Sequence, residues 1–244
     1  MTKASYDLTA ATYGHSRKTE PRIAAMIDRA LGSAETVLNV GAGTGSYEPA
    51  GRHVTALEPS QQMIDQRPAG AATAICASAE KLPFEDNAFD AAMAILTVHH
   101  WRNVPRGMAE LRRVTSGRIV ILTFDPSFQK FWLTDYVPQL VAFDAQQIPP
   151  MHDYAKWLGA VEIRPVPIPH DCADGFLGAY WRRPGAYLDA SIRAGMSPFH
   201  ALGDVSQQLA LLKADMESGI WEARYGHLMQ KDSLDCGYRL VVTV

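Results

Sequence analysis

Val37-Leu38-Asn39-Val40-Gly41-Ala42-Gly43-Thr44-Gly45-Ser46 opens the stretch Thr36–Glu58, and Val54-Thr55-Ala56-Leu57-Glu58 closes it. The first apolar run is short and stops at glycine, which suits a parallel strand covered on both faces. Glycines on alternate positions let the backbone bend sharply and come close to a ligand. The second run ends on a carboxylate 17 residues after Gly41. That is near the offset of about 20 at which an acid on a second strand meets ribose hydroxyls. Strand, glycine turn and acid-tipped strand together read as a nucleotide-binding unit.

Two ligands fit such a unit, a dinucleotide such as NAD or S-adenosyl-L-methionine. The dinucleotide fingerprint wants glycine at its sixth position. That position is Ser46 counted from Gly41 and Glu48 counted from Gly43, so both counts fail. Pro49 and Gly51 also interrupt the helix that should follow, and a pyrophosphate relies on the free N–H groups of a helix start. S-adenosylmethionine has no phosphate and tolerates the loss. The residues resemble motif I of the class I S-adenosylmethionine-dependent methyltransferases, in particular the small-molecule, methyltransferase-11-like type. Asn39 stands where an aspartate is common; it orders the loop by hydrogen bonds without bringing charge.

A second segment carries the same resemblance. Ala79-Glu80-Lys81-Leu82-Pro83-Phe84, then Phe89-Asp90 and the apolar run Ala91–Leu96, are similar to a family pattern of Asp-Ala-Glu-x-Leu-Pro-Phe followed by Phe-Asp. Ser78 replaces the aspartate that accepts from the adenine amino group; its oxygen accepts the same bond more weakly. The resemblance implies a cofactor floor of Gly41, Gly43 and Gly45. It implies ribose hydroxyls on Glu58, adenine on Ser78 and the Ala79 N–H, and Thr97 at the end of the fourth strand. It also implies an N-terminal arm in which Tyr13 and Arg17 close over the methionine end, Arg17 pairing with its carboxylate in two-pronged fashion. Residues 36–125 carry the likeness well, the arm and last strand moderately, and residues 126–235 hardly at all.

The 244 residues, 47% hydrophobic and 20% charged, suit one globular domain with a full core. A net charge of −3 and a pI near 6.2 offer no basic surface for a nucleic-acid backbone. Cys76, Cys172 and Cys236 are far apart and odd in number, which reads as reduced cytoplasmic thiols. The first residues show no signal peptide, and no apolar run is long enough to span a bilayer. Oligomeric state is not readable from the chain.

The pattern of elements predicts α/β architecture, a Rossmann-like doubly wound sheet. A covering helix lies at 21–32 after the arm, so that 1–35 precede a cofactor-binding core at 36–125. Helix Val104–Val114 follows, its Arg112 and Arg113 reading as solvated surface. Strands are expected at Ala72–Ala77, Ala91–Leu96, Arg118–Phe124 and Val161–Ile168, the last an edge strand because of Pro165 and Pro167. The resemblance adds a seventh, antiparallel strand at Tyr238–Val244, which makes 170–235 a helical lid inserted between strands six and seven. Within it, helices are expected at Tyr187–Gly195 and Asp204–Ser218, with Gly219 and Trp221 ending the second.

Ligands in open parallel sheets sit beyond the carboxyl ends of the strands. Thr97-Val98-His99-His100-Trp101 and His170-Asp171 map there. Methyl transfer needs alignment and sometimes proton removal, for which histidine is the natural base. His100 and His170 are the catalytic candidates, with Asp171 orienting or charging one of them. His99, Trp101, Trp132, Tyr180 and Trp181 are candidates for an acceptor pocket. His99, His100, His170, Asp171 and Cys172 lack zinc-like spacing, so no metal is expected. The expected function is methyl transfer to a small-molecule acceptor. The alternatives are a rearrangement or cyclisation on the same fold, and a non-catalytic cofactor-binding module.

Overall fold

The computed structural model describes residues 17–244. Seven strands form one sheet: β1 (Thr36–Val40), β2 (His53–Glu58), β3 (Ala74–Cys76), β4 (Phe89–Ile95), β5 (Thr115–Phe124), β6 (Val161–Pro169) and β7 (Ser233–Thr243). Their order is β3-β2-β1-β4-β5-β7-β6. The first five pair in parallel, and β7 runs antiparallel between β5 and β6. This is the expected doubly wound α/β sheet with an antiparallel last strand. The strand order reverses between β1 and β4, which opens a crevice at their carboxyl ends. Val37, Leu38 and Val40 of β1 and Ala91–Ala94 of β4 are wholly buried, as strands covered on both faces must be.

Local chemistry sets the helix bounds. Helix α1 (Pro21–Leu31) starts on proline, is capped by the Glu20 carboxylate, and stops at Gly32 with φ 66°. Helix α2 (Gln61–Asp65) is capped by Ser60. Helix α3 (Val104–Val114) starts where the Asn103 side chain takes the Arg106 N–H at 3.0 Å.

The second motif fastens this half together. Glu80 Oε1 accepts the Arg102 and Asn103 N–H groups at 2.7 and 3.1 Å. Glu110 Oε2 takes the Leu82 N–H at 2.9 Å. Asp90 Oδ2 accepts the N–H groups of Glu35 and Thr36, tying the start of β4 to the start of β1. Arg112 and Arg113 are not merely solvated. Arg113 donates to the carbonyls of Leu82 and Phe84, and Arg112 to that of Leu158, because these chain turns leave buried carbonyls without strand partners.

Beyond β5 come α4 (Leu133–Tyr136), α5 (Gln139–Gln147) and α6 (Met151–Leu158). Between β6 and β7 lie α7 (Ala190–Arg193), α8 (Ser197–Ala201), α9 (Ser206–Glu217) and α10 (Ile220–Tyr225), with short 3₁₀ turns. The helix expected over Tyr187–Gly195 is broken, because the Asp189 side chain caps Ser191 N and starts α7 afresh. Gly219, with φ 79°, ends α9 as expected. Trp221 does not; it is a buried residue of α10. Strand β7 begins at Ser233 rather than Tyr238, since Gly237 sits inside it with φ 93°. Its N–H is taken by Asp235 Oδ1 at 2.8 Å, so the strand continues through a residue that reads as a break.

These segments pack on one another through aromatic rings. Trp132 meets Tyr187, Trp221 and Tyr225 with centroids 5.4–5.9 Å apart. No helix among the described residues is long and apolar enough to cross a membrane. Among the same residues, no group of three or more His, Cys, Asp or Glu could hold a metal ion.

Candidate active site

The turn after β1 is built for close approach. Gly41 has φ 73°, and a Cβ there would lie 2.0 Å from Thr97 Oγ1. The end of β4 therefore packs directly on the glycine backbone. The turn spends its N–H groups internally. Gly41 and Ala42 donate to the Leu57 carbonyl at 2.8 and 3.1 Å, and Gly45 donates to the Ala42 carbonyl at 2.9 Å. Gly43 N–H donates to Glu58 Oε2 at 2.9 Å. No helix follows until α2. A pyrophosphate needs free N–H groups at a helix start; here the Gly41, Ala42, Gly43 and Gly45 amides are committed and no helix starts, so the geometry disfavours a dinucleotide.

The same turn suits an adenosyl sulfonium. Glu58 is buried at the tip of β2, its other oxygen taking the Ser60 N–H at 3.0 Å. Each Glu58 oxygen thus accepts one backbone N–H, which fixes the carboxylate against the turn. Burial raises the Glu58 carboxyl, and the amides of Gly43 and Ser60 oppose that. Asn39 donates to Glu48 Oε1 at 3.2 Å, while its own buried Oδ1 has no hydrogen-bond partner among the described residues. Arg67 braces the far side of the loop: it donates to the Gly43 carbonyl at 3.2 Å and pairs with Glu48 at 2.7 Å. Ser78 is exposed and Ala79 buried just beyond β3.

Past Thr97 the chain enters a cavity. Leu96 takes the strained φ of 52°, and a 3₁₀ turn at Val98–His100 follows. The His99 and His100 rings stand 3.9 Å apart between centroids. Burial, with Arg17 adding to it, pushes His99 down to about 4; burial and then His99 hold His100 well below the ordinary range. Both imidazoles are neutral at pH 7. Leu96, Phe124, Phe143, Ile148, Phe176 and Met196 give the cavity apolar walls, and Arg17, Asp144, Gln147 and Tyr238 add polar groups beside the histidines.

Several expected residues fall elsewhere. His170 lies beyond β6 with Nδ1 3.2 Å from the Asp232 carbonyl oxygen, and Asp171 pairs with Arg22 at 2.8 Å on the surface. Neither lines the cavity, because β6 is the outer strand and its end lies two places from β5. Trp132 and Trp181 are core residues: Trp132 donates to the Trp181 carbonyl at 2.7 Å, and Trp181 to that of Ile168 at 2.9 Å. Tyr180 lies under the Arg183 guanidinium at 4.5 Å. Trp101 packs so close to α3 that a Cβ on Gly107 would meet it at 2.5 Å. Of the five residues expected to wall the acceptor pocket, His99 does so and the four aromatics do not. Tyr13 lies outside the described residues. Arg17 reaches the cavity with its guanidinium gripped by Asp174, at 2.7 Å from Nε and 3.1 Å from Nη2.

Asp174 and Asp144 were not anticipated. Asp174 is buried and also accepts the Tyr47 hydroxyl at 2.7 Å, joining the arm, the glycine loop and the chain after β6. Its contact with Arg17 spans 157 residues, a distance no local spacing reveals. Asp144 did leave a signal. It follows the buried Leu140 by one helical turn, and a lone carboxylate on an apolar helix face is an anomaly worth pursuing.

Residues 38–121 match a family model described as a methyltransferase domain. A putative methyltransferase from an antibiotic biosynthesis pathway of Anabaena variabilis is 35% identical, covers 94% of this chain and 99% of its own, and superposes with a TM-score of 0.86. A ubiquinone/menaquinone biosynthesis C-methyltransferase (UbiE) of Citrifermentans bemidjiense is 32% identical over 111 residues, 38% of this chain and 47% of that protein. A malonyl-[acyl-carrier protein] O-methyltransferase of Erwinia pyrifoliae is 38% identical over 101 residues, 38% of each chain. This chain thus spans less than half the length of either curated relative. The glycine turn with its spent amides, the buried acid beyond it and the whole-length likeness to the Anabaena protein lead to one conclusion: the chain belongs to the class I S-adenosylmethionine-dependent methyltransferases.

Proposed function

We propose that this chain transfers the methyl group of S-adenosyl-L-methionine to a small, largely apolar acceptor held in the cavity beyond β4. One observation carries the reading: Thr97 touches Gly41 and sits in the chain between Leu96 and His99, which line the cavity, so the glycine loop and the cavity adjoin. When bound, S-adenosylmethionine supplies a methyl carbon on a sulfonium, open to in-line displacement by a lone pair. Gly41, Gly43 and Gly45 form the floor beneath it, Glu58 holds the ribose, Ser78 and Ala79 meet the adenine, and Arg17, held by Asp174, stands at the methionine end. Thr97 fixes the gap between cofactor and acceptor. Alignment of this kind can supply about 7–11 kcal/mol of the barrier.

The neutral imidazoles of His99 and His100 accept hydrogen bonds from the acceptor without adding positive charge beside a sulfonium. The apolar walls exclude water. A cytoplasmic setting without nucleic-acid or membrane partners belongs to the same reading, supported by the net charge of −3 and by three free cysteines. The test supplies methyl-labelled cofactor with a panel of small alcohols, phenols and amines. Formation of S-adenosylhomocysteine with label in a small product is expected. Tight cofactor binding without turnover on any member contradicts the proposal.

A further inference from the structure

Asp144 faces the cavity from α5, with Gln147 one turn further along the same wall. It is 8% exposed, and among the described residues nothing donates a hydrogen bond to its carboxyl. A buried carboxylate without a donor is costly, and the cavity it faces is where a bound molecule could supply one. Burial pushes it up to about 7, with no described cation near enough to offset this. The groups that share the cavity with it are few. Arg17 from the arm is engaged by Asp174. His99 and His100 from the turn after β4 are neutral. Tyr238 from β7 takes the Gly178 N–H at 3.2 Å, and burial holds its phenol protonated. The Gly195–Pro198 segment brings no charge.

We propose that Asp144 recognises the methyl acceptor, accepting a hydrogen bond from an O–H or N–H group on an otherwise apolar molecule and taking that group's proton as it is methylated. The inference rests on reading the cavity as the acceptor site. It names a substrate class: an alcohol, phenol or amine on a hydrocarbon frame, with carboxylate-ended molecules repelled. The balance closes. The acceptor's lone pair makes the new bond to carbon, the pair of the broken carbon–sulfur bond stays on sulfur, and the one proton released goes to an Asp144 oxygen. Product exit returns it to solvent.

The test is binding, measured by calorimetry on the intact chain saturated with S-adenosylhomocysteine at pH 8. Three matched sets serve as probes: 2-phenylethylamine, 2-phenylethanol and phenylacetate; tryptamine, tryptophol and indole-3-acetate; hexylamine, hexanol and hexanoate. In at least one set the amine and alcohol should bind tenfold or more tighter than the acid. Asp144→Asn should weaken that amine at least tenfold. The alcohol's affinity should rise with pH through about 7 in the parent chain and stay flat in the variant. Equal binding of acid and amine, no binding by any of the probes, or unchanged affinities in Asp144→Asn would overturn the inference. Saturation by S-adenosylhomocysteine separates the two levels: if it binds and the probes show no preference, the role of Asp144 falls alone; if it does not bind, the cofactor reading falls too.

Discussion

The glycine loop and the cavity beyond β4 lie on either side of the Leu96–His99 segment, yet they are built from different materials. Around Gly41 the turn is closed by backbone atoms, and Glu58 and Thr97 are side chains that meet that backbone. Around the cavity, Phe143, Ile148, Phe176 and Met196 form the wall, while neighbours of the same chemical kind, Trp132, Trp181 and Tyr187, are core. A ligand seat made of main chain leaves its mark as glycine and tight spacing. A seat made of aromatic and aliphatic side chains uses the same alphabet as packing.

The contrast can be broken most forcefully at Gly41. Gly41→Ala places a Cβ 2.0 Å from Thr97 Oγ1 at a left-handed φ. Affinity for S-adenosylhomocysteine should fall at least a hundredfold in a calorimetric titration. Gly70→Ala is the control: its φ of 84° is as unfavourable, but nothing lies within 4 Å. It should cost about 1–2 kcal/mol of stability and leave cofactor affinity alone.

In the chain beyond β5 the largest expected loss is at Asp174. Removing one partner of a buried ion pair costs about 3–5 kcal/mol because the other charge is stranded, and both Arg17 and Asp174 are largely buried. Denaturant unfolding of Asp174→Asn should show this, together with a weaker hold of Tyr47 on the loop. Asp144 should behave in the opposite sense. Its folded-state carboxyl titrates near 7 against an ordinary 3.8, so between those values the folded chain holds a proton that the unfolded chain has lost. Stability falls as pH rises from about 4 to 7 and is flat above. Asp144→Asn should therefore be more stable than the parent by about 2–4 kcal/mol at pH 8, the gain vanishing near pH 4.

The smallest effects belong at the end of β6. His170→Ala and Asp171→Ala should change turnover less than threefold, since neither residue lines the cavity. A large loss of turnover in either would return the outer strand to the chemistry and erase the contrast between the regions.

How much was legible follows from the same contrast. The five parallel strands, α1, α3 and the glycine turn announced themselves through short apolar runs, Pro21 and Gly32, and the failed sixth glycine. Glu80 and Asp90 were visible in a motif, but their work as clamps on N–H groups was not. Arg113 read as surface because a guanidinium gives no sign of the carbonyls it will meet. Trp132 and Trp181 misled because a large ring at helical spacing looks the same whether it faces a ligand or another ring. The meeting of Arg17, Tyr47 and Asp174 depends on where three distant segments fold. Asp144 left a trace in the sequence, a carboxylate one helical turn after Leu140, but its burial against the cavity shows only in the fold.

The most direct measurement is a calorimetric titration of the intact chain with S-adenosylhomocysteine, run beside NAD. A cofactor seat at Gly41–Gly45 should give saturable one-site heat, with about 2.7 kcal/mol of added stability at a hundredfold excess over the dissociation constant, and nothing with NAD. No heat and no saturation, or competition by NAD for the same site, would contradict it.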